Sequence, residues 1–247
     1  MKVFITGGTS GLGLALTKYY VKMGNDVGIS SIEDEDKIRD IIPAKVKYYQ
    51  ADVIDSQKMH EVIYNFTNKY GGLDLVIANA GINLAKRKLP DFNQGKKVIE
   101  INVIGVINTL APAIEIMKKQ KAGHIVGIGS LSGLYGLPGM AMYGASKAAV
   151  LSMFETFAID LPNYGIHVTC VAPGFVATPL IKDNNHRMPF LMNTDRAVAK
   201  ILWAIEKKKV LYLFPRPLSY IAIIFKIMPR SIYRLIMKLD LLGLAKD

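Results

Sequence analysis

One cysteine, Cys170, stands among 247 residues, and it lies inside an apolar run. A lone thiol closes no intrachain disulfide, so there is no disulfide framework and the usage suits a reducing compartment. Histidine is scarce as well. His60, His124, His167 and His186 are scattered, no Cys/His cluster has ligand spacing, and no metal site is expected. Internal repeats, low-complexity tracts and linkers are missing, which argues against a string of modules. A secretory leader is missing too: three apolar residues follow Lys2 and then a glycine-rich turn, so a cytoplasmic location is expected.

Acids are the last shortage. Against 31 Lys and Arg stand 20 Asp and Glu, a formal charge of +11. That excess suggests an anionic partner. No basic stretch is interleaved with aromatics as a nucleic-acid groove requires, so nucleic acid is not an expected partner. The surplus gathers after residue 206 instead.

What is present is a chain 51% hydrophobic, long enough for one sizeable core. "KVFIT", "NDVGIS", "KVKYYQAD", "LDLVIANAG", "GHIVGIGS", "GIHVTCVAP" and "VLYLFP" read as strands. Between them run helical patterns: "LALTKYYVKMG", the short acidic "DEDKIRDII", and "SQKMHEVIYNFTNKYG" opened by a Ser56 cap. A long helix, "KKVIEINVIGVINTLAPAIEIMKKQ", is expected to kink at Pro112, and "TDRAVAKILWAIEKKK" follows strand six. Strands alternating with helices imply right-handed crossovers and a parallel sheet covered on both faces. The expected fold is therefore α/β, a doubly wound parallel sheet of about seven strands with a C-terminal helical extension.

"TGGTSGLG", residues 6–13, joins the first strand to the first helix. Glycines there let the backbone approach a pyrophosphate, whose charge meets free amides at the positive end of the helix. Alone, such a loop is also read as a tight turn. "MYGASKAAV", residues 142–150, sets Tyr143 and Lys147 one helical turn apart among small residues, so that both side chains lie on one face. Alone, that too describes a helix packed through its alanines. Added to these are "AD" at 51–52, "NAG" at 79–81, Asn102, Ser130 at the end of strand five, and "PGFVAT" at 173–178. Jointly the pattern is specific: from about residue 2 to about residue 210 the chain resembles the short-chain dehydrogenase/reductase family, a Rossmann-type fold.

The resemblance implies an NAD(P)-dependent oxidoreductase that interconverts a secondary alcohol and a ketone. Residues 1–210 would be its dinucleotide-binding catalytic domain and 211–247 the extension. A free tyrosine, with a pKa near ~10, is a poor base at neutral pH. An adjacent ammonium favours the phenolate. Lys147 supplies that ammonium and, by resemblance, holds the nicotinamide ribose, which makes Tyr143 the general acid–base. Ser130 would stabilise charge on the reacting oxygen, with Ser132 an alternative for that role. Asn102 would hold a relay water. Cofactor contacts are implied for Gly7, Thr9, Ser10, Gly11, Leu12 and Gly13 in the loop and for Ser31 after strand two. Asp52 would meet the adenine amino group, with Val53 under the ring; its other reading is a cap for the next helix. Asn79 reads as a brace between strands, while Ala80 and Gly81 line the cleft. Pro173, Gly174, Val176 and Thr178 would border the nicotinamide.

Cofactor choice turns on the end of strand two. Ser31 stands where an acid would bind the ribose 2′-hydroxyl, Ile32 where an arginine would bind a phosphate, and Ser10 replaces a second such arginine. The missing acid favours NADP; the acidic run at 33–36, if it folds inward, favours NAD. The balance falls to NADP, with NAD the alternative.

The tail departs from the family core. Residues 218–228 are apolar nearly all round, with Lys226 their one charge, about half the ~20 needed to cross a bilayer. Beyond Pro229, Ile232, Leu235, Ile236 and Leu239 recur at helical spacing, with Arg230, Arg234 and Lys238 opposite. Such a basic amphipathic helix can lie peripherally in an anionic membrane interface, or pack on the core or a second subunit. Met188, Phe190, Leu191 and Met192 fall where the family carries its substrate lid, in the loop at 179–193, which points to an apolar small-molecule substrate. Dimers and tetramers are usual in the family, so a homodimer or homotetramer is expected. Alternative functions are a 3-oxoacyl-type reductase of fatty-acid synthesis, a non-catalytic NAD(P)-binding sensor and a membrane-associated scaffold. The intact set of Asn102, Ser130, Tyr143 and Lys147 argues against the sensor.

Overall fold

The computed structural model describes residues 1–84, 91–182 and 187–239. His186 and the last residues of the expected tail lie outside the described residues. The alternation read from the sequence appears as β1 (Lys2–Thr6), α1 (Gly11–Lys22), β2 (Asp26–Ser31), α2 (Glu35–Ile38), β3 (Lys47–Gln50) and α3 (Ser56–Tyr70). It continues with β4 (Leu75–Ala78), α4 (Phe92–Ile99), α5 (Gly105–Gln120), β5 (Gly123–Ile128), α6 (Ala141–Asp160) and β6 (Ile166–Pro173). Then come α7 (Thr194–Glu206), β7 (Leu211–Phe214), α8 (Arg216–Ile227) and α9 (Arg230–Lys238).

The seven strands form one sheet in the order β3-β2-β1-β4-β5-β6-β7, every neighbouring pair parallel. A parallel strand covered by helices on both faces is apolar throughout, and β1 follows that rule: Val3 and Ile5 enter one layer of core, Phe4 the other. The first layer joins β1 and β2 to α1 and α7 through Leu16, Ile29 and Ile201. The second joins the sheet to α3, α5 and α6 through Phe66, Leu110 and Phe154. A third, smaller cluster gathers Leu131, Tyr135, Leu218, Ala222, Phe225 and Tyr233 beneath the two last helices.

Three local expectations change. The acidic helix after β2 is one turn long, because only Ile38 is buried and no apolar stripe holds more of it. The cap of α3 is Asp55, whose Oδ1 accepts from Lys58 N at 2.8 Å, and Ser56 is the first helical residue. The long helix changes its hydrogen bonding at Glu100–Ile104, a π-turn, while α5 runs on through Pro112. The extra residue in that turn carries Asn102 fully into the interior. Among the described residues, the helical stretch 92–120 is the one long and apolar enough to cross a membrane, but here it is a core helix.

Candidate active site

In the strand order, β1 has β2 on one side and β4 on the other, so the loops leaving β1 and β4 diverge at the carboxyl edge. A crevice opens at such a switch point. Gly7 lines it at φ +65°, a left-handed conformation that a side chain would strain, and its N donates to Ser30 O at 2.8 Å. Gly13 is required by close approach: a Cβ there would lie 2.1 Å from Gly7 O. Ser10 occupies the cap position of α1 without capping it, so the first-turn amides of Gly11, Leu12 and Gly13 have no side-chain partner from the cap. Asn79 braces the floor, donating to Thr6 O at 2.9 Å and Gly7 O at 3.1 Å. Ala80 N donates to Thr6 Oγ1 at 3.2 Å, and a Cβ on Gly7 would meet Ala80 Cα.

Across the crevice, α6 delivers Tyr143 and Lys147. Lys147 is 5% exposed; its Nζ donates to Ile128 O at 2.9 Å and sits 5.8 Å from the Tyr143 ring centroid. Burial brings its pKa down to about 8. Burial also raises the Tyr143 phenol above its ordinary value, and the Ser130 hydroxyl works against that rise. Ser130 caps the short turn Leu131–Gly133, its Oγ 2.8 Å from Ser132 Oγ and 3.2 Å from Ser132 N. Ser132 thus orients Ser130.

Asn102 is held from both sides. Its Oδ1 accepts from Ile82 N at 2.8 Å, and its Nδ2 donates to Ile82 O and Ser146 Oγ, both at 3.0 Å. With both side-chain hydrogens engaged, one Oδ1 lone pair is left, among the described residues, to hold a water. Gly81 measures the gap: a Cβ there would lie 3.1 Å from Asn102 Oδ1 and 3.4 Å from Lys147 Nζ. Ser146 was not singled out from the sequence, yet it is fully buried and its Oγ donates to Tyr143 O at 2.7 Å. The only signal was its place, one residue before the lysine.

At the adenosine end, Ser31 and Thr9 meet, their hydroxyls 3.0 Å apart. Glu33 turns inward onto both, accepting from Ser31 Oγ and, at 3.3 Å, from Thr9 Oγ1. Tyr48 OH donates to the Glu33 carbonyl and holds it there. This is the inward folding under which the acidic run favours NAD. Asp52 does not cap α3; its Oδ1 accepts from Ile54 N at 3.1 Å. Val53 is buried and its carbonyl accepts from Asn108 Nδ2 at 2.9 Å.

The loop after β6 closes the other rim. Gly174 N donates to Phe214 O at 2.8 Å beyond Pro173, Val176 bridges to Met192, and Thr178 Oγ1 donates to Val176 O at 3.3 Å. A Cβ on Gly11 would touch Thr178 Cβ at 3.4 Å, so this loop arches over the glycine-rich turn. Leu218 of α8 packs beside Gly174 and Leu131 and backs the wall. The histidines stand elsewhere: His124 and His167 near the amino ends of β5 and β6, His60 stacked on Tyr64. Cys170 is buried, and burial pushes its thiol up to about 12, so it is a core residue. Among the described residues no three His, Cys, Asp or Glu side chains gather as a metal site would need.

A dinucleotide fits these residues. Uncapped amides suit a pyrophosphate, and Lys147 is a buried ammonium whose hydrogen-bond partner among the described residues is a neutral carbonyl. Ser30 Oγ, beside the glycine-rich turn, is buried without a partner among the described residues.

A family model described as short chain dehydrogenase matches residues 1–189. An uncharacterized oxidoreductase of Myxococcus xanthus is 34% identical over 239 residues, covering 93% of each chain. The 3-oxoacyl-(acyl-carrier-protein) reductase of Thermotoga maritima is 37% identical over 185 residues, 71% of this chain and 74% of that one. Among solved structures, ElxO with NADP bound is similar at a TM-score of 0.78 and 28% identity, over 86% of this chain and 97% of that one. Sequence, relatives and fold converge: the chain belongs to the short-chain dehydrogenase/reductase family, an oxidoreductase acting on CH–OH groups with NADP or NAD as its cofactor.

Proposed function

We propose that the protein interconverts a secondary alcohol and a ketone on an apolar, lipid-like small molecule. The observation that carries the chemistry is the buried Lys147 ammonium 5.8 Å from the Tyr143 ring. When bound, the nicotinamide gives or takes the hydride. Tyr143 gives its phenolic proton to the carbonyl oxygen in reduction, or takes the hydroxyl proton in oxidation. Burial keeps the phenol protonated in the free protein, which suits the donor role. Lys147, at about 8, retains its proton at pH 7 and lowers the cost of the phenolate. Ser130, oriented by Ser132, donates to the reacting oxygen as charge develops on it. Asn102 fixes the loop after β4 to α6 and borders the path by which Lys147 and Tyr143 recover their proton. The glycine-rich turn, Asp52, Val53, Ala80, Gly81 and the loop at 173–178 hold the dinucleotide, and Asn79 braces them.

Residues 1–210 carry these tasks; beyond them β7 completes the sheet beside β6, and Leu218 of α8 backs the substrate side. Leu180, Phe190 and Leu191 are exposed on the loop after Thr178, which supports an apolar ligand. The lone buried thiol suits the cytoplasm, and a homodimer or homotetramer is part of the reading. A second reading, reduction of a carrier-bound 3-oxoacyl chain, rests on the Thermotoga relative's name. A screen of ketones and alcohols of increasing chain length tests the first. Each added methylene should raise kcat/KM by about fourfold until the cleft is filled, since burial of one is worth ~0.8 kcal/mol. Flat or falling values rule out an apolar cleft, and turnover confined to carrier-bound substrates favours the second reading.

A further inference from the structure

We propose that α8 and α9 form a docking surface for a bilayer that carries anionic headgroups. Helix α8 is apolar on two opposite sides. Leu218, Ala222 and Phe225 face inward onto Leu131 and Tyr135. Tyr220, Ile223, Ile224 and Ile227, spaced i, i+3, i+4 and i+7, face water. Helix α9 is turned differently from the sequence expectation. Tyr233, with Ile236 and Met237, takes the inner side, its OH donating to Gly136 O and its ring 5.6 Å from Phe225. That leaves Ile232, Leu235 and Leu239 outward. These seven side chains are between 41% and 77% exposed. A soluble protein rarely leaves so many large apolar groups uncovered on two consecutive helices.

Charge identifies the occupant. Residues 207–239 hold eight Lys and Arg and no Asp or Glu. Arg216, Lys226, Arg230, Arg234 and Lys238 form no ion pair among the described residues. A second copy of this chain is a poor cover, because a two-fold interface sets this patch against itself and opposes like charges. Anionic lipid answers both features at once: acyl chains cover the isoleucines and leucines, and headgroups pair with the bases. At 12 and 9 residues the helices are too short to span, so they lie in the interface. The inner side of α8 packs on the turn that follows Ser130, so the docking face and the wall of the active site are two sides of one helix. The inference rests on this surface alone, whatever the substrate.

The test is flotation of the full-length protein with vesicles of phosphatidylcholine, alone or mixed with phosphatidylglycerol. Binding should require the anionic lipid and weaken in about 0.5 M salt. Arg234→Glu with Lys238→Glu should lower partitioning by about thirtyfold or more, at roughly 1 kcal/mol per basic residue. Ile224→Ser with Ile227→Ser should lower it by a similar factor. All four side chains are exposed, and turnover of a water-soluble ketone with an unchanged melting temperature reports that the fold is kept. Absence of the wild type from anionic vesicles overturns the proposal, as does equal binding by both variants. If instead the Ile pair turns a dimer into a monomer in sedimentation while vesicles bind nothing, the face is a subunit interface.

Discussion

His124 stands near the amino end of β5, while Lys147 reaches its carboxyl end to donate to Ile128 O. Burial lowers both groups, His124 to about 4 and Lys147 to about 8. Their consequences at neutral pH are opposite. His124 becomes neutral, its Nε2 is 2.9 Å from Thr169 Oγ1, and its burial is complete in chemical terms. Lys147 stays protonated, with a single carbonyl partner among the described residues, beside Tyr143, Asn102 and the gap at Gly81. A perturbed ionisation therefore marks a site only where it leaves a charge and unused donors facing a cleft. The amino ends of the strands meet that condition nowhere near His124; the carboxyl ends do.

The largest effect that separates the two ends is chemical. Tyr143→Phe keeps the ring and removes the transferable proton, so kcat should fall by roughly a thousandfold, within the range general acid–base catalysis supplies. Cofactor affinity should stay within about threefold, because the glycine-rich turn and Lys147 are untouched. His124→Gln should leave turnover at pH 7 unaltered. Steady-state kinetics and cofactor titration on both variants check this, and near-normal turnover in the Phe variant would dissolve the contrast.

The carboxyl end was legible in the sequence because its signals are local. A glycine-rich turn between strand and helix, and a tyrosine and lysine one helical turn apart, each need only a few consecutive residues. What was not legible depends on distant partners. The π-turn that buries Asn102 is fixed by Ile82 and Ser146, 20 and 44 residues away. The rotation of α9 is fixed by Tyr233 reaching Gly136, 97 residues back, against which an Ile and Leu stripe counted for less. Asp55 and Ser56 are both good caps, and sequence does not choose between adjacent ones. Glu33 reaches the Ser31 position because Tyr48, on the neighbouring strand, holds its backbone.

A second effect falls on stability. His124 in the folded state has a pKa near 4 against an ordinary 6.5, so the unfolded chain binds the extra proton first as pH falls. Its contribution is intact above about pH 6.5 and is lost toward pH 4, roughly 3 kcal/mol over that window. His124→Gln should flatten that part of the acid dependence. Urea unfolding at a series of pH values measures it, and an unchanged slope assigns the acid sensitivity to other groups.

The smallest effect concerns the far end of the same carboxyl edge. Glu33 lies 20 residues beyond Gly13, and its carboxylate already accepts from Ser31 and Thr9. A ribose 2′-hydroxyl can take the place of those donors, whereas a 2′-phosphate meets a like charge. Glu33→Gln keeps the shape and removes the charge, so kcat/KM with NADP should rise relative to NAD by about fivefold to tenfold. The site is open to water, so the gain should shrink as salt is added. Kinetics with both cofactors at two ionic strengths read the ratio directly. If it does not move, Glu33 swings away when the dinucleotide binds, and the choice rests with Ser10, Ser31 and Ile32 instead.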